Sequence, residues 1–230
     1  MSGREIAKNL GVGKTAVHRW AKELGFQFTK YSVNEDFFDR WSETSAYVLG
    51  FIFADGNVAW NLKKCYWALT ITAAEKDRTH LERIRRLMKI TKPLLYSNKT
   101  KSYRMIISNK PLCSKLIKLG VVPRKSLIVA FPEIPEPFLR HFLRGVIDGD
   151  GWVRYNDRKR SPYLEIGVSS GSPRFCESLT KAVYANYGIY SKPRLLNGNT
   201  FVVSYTCTRA QKLAELIYLN ATIFLKRKFK

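Results

Sequence analysis

The chain has 230 residues, 45% of them hydrophobic, which is enough for one large domain or two small ones with an ample core. Its formal net charge is +22, from 40 Lys and Arg against 18 Asp and Glu, an excess that calls for a polyanionic partner. Nucleic acid fits better than a membrane surface, because the basic residues are spread along the chain with no amphipathic basic anchor. No signal peptide and no apolar run of about 18 residues is evident, so the expectation is a soluble intracellular protein. Cytoplasm or nucleoid, an organellar matrix or a phage-infected cell would all suit it. Cys65, Cys113, Cys176 and Cys207 are far apart and form no C-x-x-C pair, so they read as buried thiols of a reducing compartment.

The first elements are two short helices. Arg4 to Leu10 and Lys14 to Leu24 flank Gly11-Val12-Gly13, and Ala7, Gly11 and Val17 match the small, turn and branched positions of a helix-turn-helix. The pair should bury Ile6, Ala7, Leu10, Val12, Val17 and Trp20. The second helix would expose Lys14, Thr15, His18, Arg19 and Lys22 to a major groove. Residues 1–30 are therefore read as an accessory DNA-binding module. No helix precedes Arg4, so the segment Asp36 to Trp41 is a candidate for its missing support. Residues 31–44 read as a linker with one helical turn, in which Phe37, Phe38 and Trp41 can pack onto the next domain. Thr44 or Ser45 offers a helix cap.

Tyr47 to Ala54 is uncharged and long enough for about two turns of helix, with Gly50 in its middle and Asp55-Gly56 at its end. Phe142 to Gly151 repeats the arrangement: Gly145 aligns with Gly50 and Asp150 with Asp55, both at an offset of 95 (145 − 50 and 150 − 55). A repeat of that period is a duplicated domain half. Gly50 and Gly145 would let the two helices approach backbone to backbone. Each trailing glycine can take the left-handed helix-ending conformation. A carboxylate at the negative end of a helix dipole is unfavourable, and two side by side are worse unless a cation lies between. Asp55 and Asp150 therefore read as a divalent-metal site, with no backbone ligand assigned.

The rest of each half runs in parallel. Val58 to Lys64, Tyr66 to Thr72, Pro93 to Tyr96 and Tyr103 to Ile107 are predicted strands of the first half, with helices over Asp77 to Leu87 and Leu112 to Leu119. In the second half, Trp152 to Tyr155 and Tyr163 to Val168 are strands, followed by a helix over Arg174 to Tyr187. A hairpin at Asn197-Gly198 then leads to a last helix over Ala210 to Leu219. The halves are 45–130 and 138–230, joined by a stiff Pro-rich linker over 131–137. With helices behind each sheet, the free faces form a concave surface able to straddle a duplex. Lys63, Lys64, Lys99, Lys101 and Arg104 are candidate contacts in the first half, and Arg154, Arg158, Lys159, Arg160, Lys192 and Arg194 in the second.

Two well-spaced copies, Val48 to Gly56 and Leu143 to Gly151, resemble the nine-residue motif of the LAGLIDADG homing endonucleases in their single-chain form. The likeness spans roughly Ser45 to Lys230. One departure stands in the sixth motif position, which is Asp148 in the second copy and Phe53 in the first. The resemblance implies an α+β fold of pseudo-twofold αββαββα halves packed through the motif helices, with antiparallel sheets forming a DNA saddle. It also implies a metal-dependent, site-specific double-strand endonuclease using Mg²⁺ or Mn²⁺. Such an enzyme cuts a long asymmetric double-stranded target across the minor groove and leaves short 3′ extensions. Similar enzymes carry a basic residue near each centre; Lys125, 70 residues beyond Asp55 (125 − 55), and Lys228, 78 beyond Asp150 (228 − 150), hold comparable places. Two motifs in one chain imply a monomer whose dimer-like interface is internal. A DNA-binding regulator with inactive acids, or a maturase binding intron RNA, remains open on the same scaffold.

Overall fold

A computed structural model describes residues 3–26, 31–61, 66–122, 129–157, 161–198 and 200–228. Two helices, α1 (Gly3–Asn9) and α2 (Lys14–Glu23), precede two matching halves. The first half contains α3 (Glu43–Asp55), β1 (Gly56–Asn61), β2 (Tyr66–Ala74), α4 (Arg78–Leu87), β3 (Leu95–Ser97), β4 (Ser102–Ile107) and α5 (Lys110–Lys118). The second contains α6 (Glu136–Asp150), β5 (Gly151–Asn156), β6 (Tyr163–Ser170), α7 (Pro173–Tyr187), β7 (Arg194–Asn197), β8 (Thr200–Thr206) and α8 (Cys207–Tyr218). Each half is αββαββα, and the two four-stranded antiparallel sheets have the same order, β1-β2-β4-β3 and β5-β6-β8-β7.

The molecule is built around the crossing of α3 and α6. Every residue of α3 from Ser45 to Phe53 is buried, as a helix apolar on all sides requires. A Cβ built on Gly50 would overlap the carbonyl oxygen of Phe142, and one on Gly145 would overlap that of Tyr47. The two glycines are thus the points where the backbones touch. Helix α3 starts earlier than the apolar pattern suggests: Ser42 is its cap, in a reciprocal box with Ser45, rather than Thr44 or Ser45. Helix α6 likewise begins at Glu136 with Pro137 in its first turn, so the stiff connection is shorter than 131–137.

The glycines that follow the acids do not take the left-handed conformation expected of them. Gly56 (φ −87°) and Gly151 (φ −97°) are extended, and each helix runs straight into a strand. Glycine is needed there for space. A Cβ on Gly56 would press on Ile52, and one on Gly151 on Ile147 and the Gly167 carbonyl.

The pseudo-symmetry is broken on one flank of the crossing. Phe53 packs against Phe142 and Phe175, whereas its counterpart Asp148 is buried in a polar network. Asp148 accepts from the Tyr47 and Tyr218 hydroxyls and the Leu225 amide, each at 2.7 Å. Tyr47 gives its one proton to Asp148, so His80 Nε2, 2.9 Å away, carries the proton shared with the Tyr47 oxygen. Arg144, also buried, donates to the carbonyls of Ile217 and Ile223 and to Glu43, which accepts from the Thr222 amide as well. Residues 217–228 are thereby tied to both halves.

Burial holds His80 down to about 4; Arg83 and Arg227 act in the same direction and Asp77 opposes them. Its folded value lies below the unfolded one, so the unfolded chain takes up the proton first and stability falls as the pH drops through that window. From pH 7 to pH 5 the loss attributable to His80 is about 2 kcal/mol. Urea titrations at the two pH values should show that loss in the parent, and a smaller dependence in His80→Gln. Equal dependence in both would remove His80 from the account.

The N-terminal pair packs less than its pattern suggested. Ala7, Val17 and Ala21 are buried, but Leu10 and Trp20 are 60% and 39% exposed, because two short helices alone cannot surround them. Phe37, Phe38 and Trp41 pack onto the main core, Trp41 stacking on Phe138 of α6. Cys113 and Cys176 are buried as expected; Cys207 is exposed at the start of α8, and Cys65 lies outside the described residues. No described helix is long and apolar enough to cross a membrane.

Candidate metal centre and nucleic-acid interface

Asp55 is the last residue of α3 and Asp150 the last of α6. The helix ends lie side by side: a Cβ built on Gly149 would overlap that of Ala54 and stand 3.4 Å from Asp55 Oδ2. Asp55 is half-buried and Asp150 exposed, the latter facing a cleft of about 260 Å³ shared with Phe53, Ala54, Ser169 and Ser170. Two acids are therefore brought together in a strongly basic chain, at the negative ends of two helices.

Lys228 supplies part of the compensation. It is buried, and its ammonium donates to the carbonyls of Ile147, Gly149 and Gly151 at 2.9, 3.0 and 2.6 Å. All three protons are thus committed to the last turn of α6. Burial pushes this lysine down to about 8, while the fields of Asp148, Asp55 and Asp150 act upward. The neighbouring Arg227 makes a bidentate pair with Asp77 of the first half, at 2.7 and 2.9 Å. Sequence position marked Lys228 as a candidate, but its carbonyl partners follow only from the path of residues 217–228. Lys125 lies outside the described residues.

Asp148 does not join the two acids. Its three donors hold it in the interior, and burial raises its pKa. Among the described residues no group of three or more His, Cys, Asp or Glu is placed to hold a metal. The donor set at the helix ends is two carboxylates. That set suits a hard, oxygen-seeking cation, with substrate phosphate oxygens completing the shell.

The basic candidates fall in three groups. Lys14, Thr15, His18, Arg19 and Lys22 are exposed on α2. Lys99, Lys101, Arg104, Lys192 and Arg194 are exposed on or beside β3, β4 and β7, and Arg154 is exposed on β5. Lys63, Lys64, Arg158, Lys159 and Arg160 lie outside the described residues. Val58, Leu69, Ile71, Met105 and Ile107 face the core of the first sheet, leaving Asn57, Thr70, Thr72 and Arg104 on the open face. Sequence reading missed Glu165, a buried acid on the corresponding face of the second sheet. The strand alternation of Leu164, Ile166 and Val168 was the signal that could have placed it there.

The arrangement defines a class: two αββαββα halves crossed on glycine, with one acid at each motif end. Residues 137–218 match the model of the LAGLIDADG-like domain family. No curated protein matches the sequence. Among solved structures, the homing endonuclease I-WcaI bound to its DNA recognition sequence is similar with a TM-score of 0.60 at 13% identity, over 85% of this chain and 91% of that one. The I-LtrWI LAGLIDADG homing endonuclease bound to target DNA gives 0.56 at 12%, over 81% and 86%. An I-DmoI variant with its nicked target DNA and manganese gives 0.55 at 14%, over 79% and 97%. The two-half fold is thus shared with these solved structures, and the match to the LAGLIDADG-like domain falls on the second half.

Proposed function

We propose that this protein is a site-specific double-strand DNA endonuclease working as a monomer. The observation that carries the reading is the convergence of Asp55 and Asp150 on a glycine-mediated helix crossing between two open sheet faces, in a chain of charge +22. Asp55 and Asp150 would hold Mg²⁺ or Mn²⁺ together with oxygens of the scissile phosphates. A cation so held polarises the phosphate and acidifies the attacking water. The helix crossing fixes the separation of the acids, and each acid, belonging to its own half, serves one strand. The open sheet faces and their basic residues position the duplex, while α2 adds contacts outside the central site. Incubation with a randomised-site DNA library and Mg²⁺ should give discrete double-strand cuts at one long asymmetric sequence. Binding with no cuts would favour a regulator, and selective binding of intron RNA a maturase.

Lys228 is a positioning residue in this reading, since its protons go to the α6 carbonyls that frame Asp150. Lys228→Met should lower the single-turnover cleavage rate roughly 10- to 100-fold, the usual cost of losing an outer partner of a metal site. Target affinity and the folded fraction should hold. Unchanged cleavage would make Lys228 a stability residue only.

A further inference from the structure

The open face of the second sheet carries one feature that the first sheet lacks. Arg154 and Glu165 are directly paired across β5 and β6, and Val153 and Ile166 beside them point into the core, so this pair points outward. Glu165 is only 5% exposed although it lies on the outer face. Its Oε2 accepts from Arg154 Nε at 3.1 Å, from the same guanidinium's NH2 at 2.8 Å and from Asn156 Nδ2 at 3.2 Å. The Arg154 guanidinium lies 5.9 Å from the Trp152 ring centre, and that ring covers Gly167, where any Cβ would collide with it. The guanidinium is therefore held from behind while its side chain remains 59% exposed. In the first sheet the matching cross-strand pair is Ala59 and Ala68.

We infer that Arg154, held by Glu165 and Asn156 on a Trp152 floor, reads a guanine in the half-site bound by the second sheet. The reasoning rests on the endonuclease reading above. The edge turned to Glu165 uses Nε–H and one NH2 proton, which leaves the NH1/NH2 end free to donate in parallel to the O6 and N7 of guanine. A phosphate clamp has no use for such fixed orientation, and its charge would not be cancelled by a buried acid. Arg154 is four residues beyond Asp150, about 13 Å along a strand, which places the guanine roughly three to five base pairs from the cut. Ala59 and Ala68 impose no such demand on the opposite half-site.

The test is cleavage and binding selection on a library randomised around the cut, with the parent, Arg154→Ala, Arg154→Lys and Glu165→Gln. The parent should prefer guanine at one such position in one half-site only. Arg154→Ala and Arg154→Lys should relax that preference roughly 5- to 150-fold and leave the other positions unchanged. Glu165→Gln should weaken it as well. The salt dependence of binding should not change in Arg154→Ala. Uniform weakening at all positions, with the salt slope reduced by about one, would mean a phosphate contact and overturn the inference. A parent that selects no DNA sequence would overturn the endonuclease reading itself, whereas a selective parent with an unaltered profile in Arg154→Ala overturns only this inference.

Discussion

Asp150→Asn is expected to bind the selected target at least as tightly as the parent and to lose double-strand cleavage by at least roughly 100-fold. That is the upper end of what loss of an outer-shell partner costs a metal site, and a direct ligand should cost no less. Asparagine keeps the size and a carbonyl oxygen, so the α6 terminus and its contacts with Lys228 persist. The charge that would hold the cation does not. Removing a negative group that faces a phosphate backbone also removes a repulsion, so affinity should not fall. Asp55→Asn should behave alike, because it ends the matching helix beside Gly149. A gel-shift titration and a plasmid linearisation assay on the same preparations separate binding from cleavage. Full cleavage by either variant would dismiss that acid as a ligand.

Gly145→Ala is expected to be among the most damaging single methyl additions in the molecule. The added Cβ would meet backbone, the Tyr47 carbonyl and the Phe51 amide, and backbone cannot rotate away as a side-chain tip can. Overpacking of this kind costs about 3 kcal/mol, which lowers Tm by about 6–12 °C for a chain of this size. Gly50→Ala should cost a similar amount through the Phe142 carbonyl. Because both methyl groups force apart the same two helices, the double variant should cost less than the sum. Cleavage should fall further than stability, since the crossing also sets the spacing of Asp55 and Asp150. Urea denaturation with a parallel cleavage assay checks both; an unchanged midpoint in either single variant would contradict the close crossing.

Much of this was legible in the sequence because it is local or repeated. The 95-residue offset ties Gly50 to Gly145 and Asp55 to Asp150, and Tyr66 to Thr72 reads as the strand that β2 forms. What was not legible depends on segments distant in sequence. Asp148 draws its partners from Tyr47, Tyr218 and Leu225, and Lys228 finds its acceptors by the route of a tail with no periodicity. The glycines after the acids were expected to turn left-handed, but the need is for room against Ile52 and Ile147, a tertiary demand that a dipeptide does not reveal. Arg154 stood out only as one basic residue among many; the register with Glu165 is what sets it apart.

The central claim is that one chain cuts both strands through two acids. Its most direct test is single-turnover cleavage of the selected duplex at one protein chain per site, with Mg²⁺, by the parent and the Asp55→Asn/Asp150→Asn double variant. The account predicts cuts in both strands by the monomeric parent, none without Mg²⁺ and none by the double variant. Tight, specific binding by the parent with both strands left intact would contradict it.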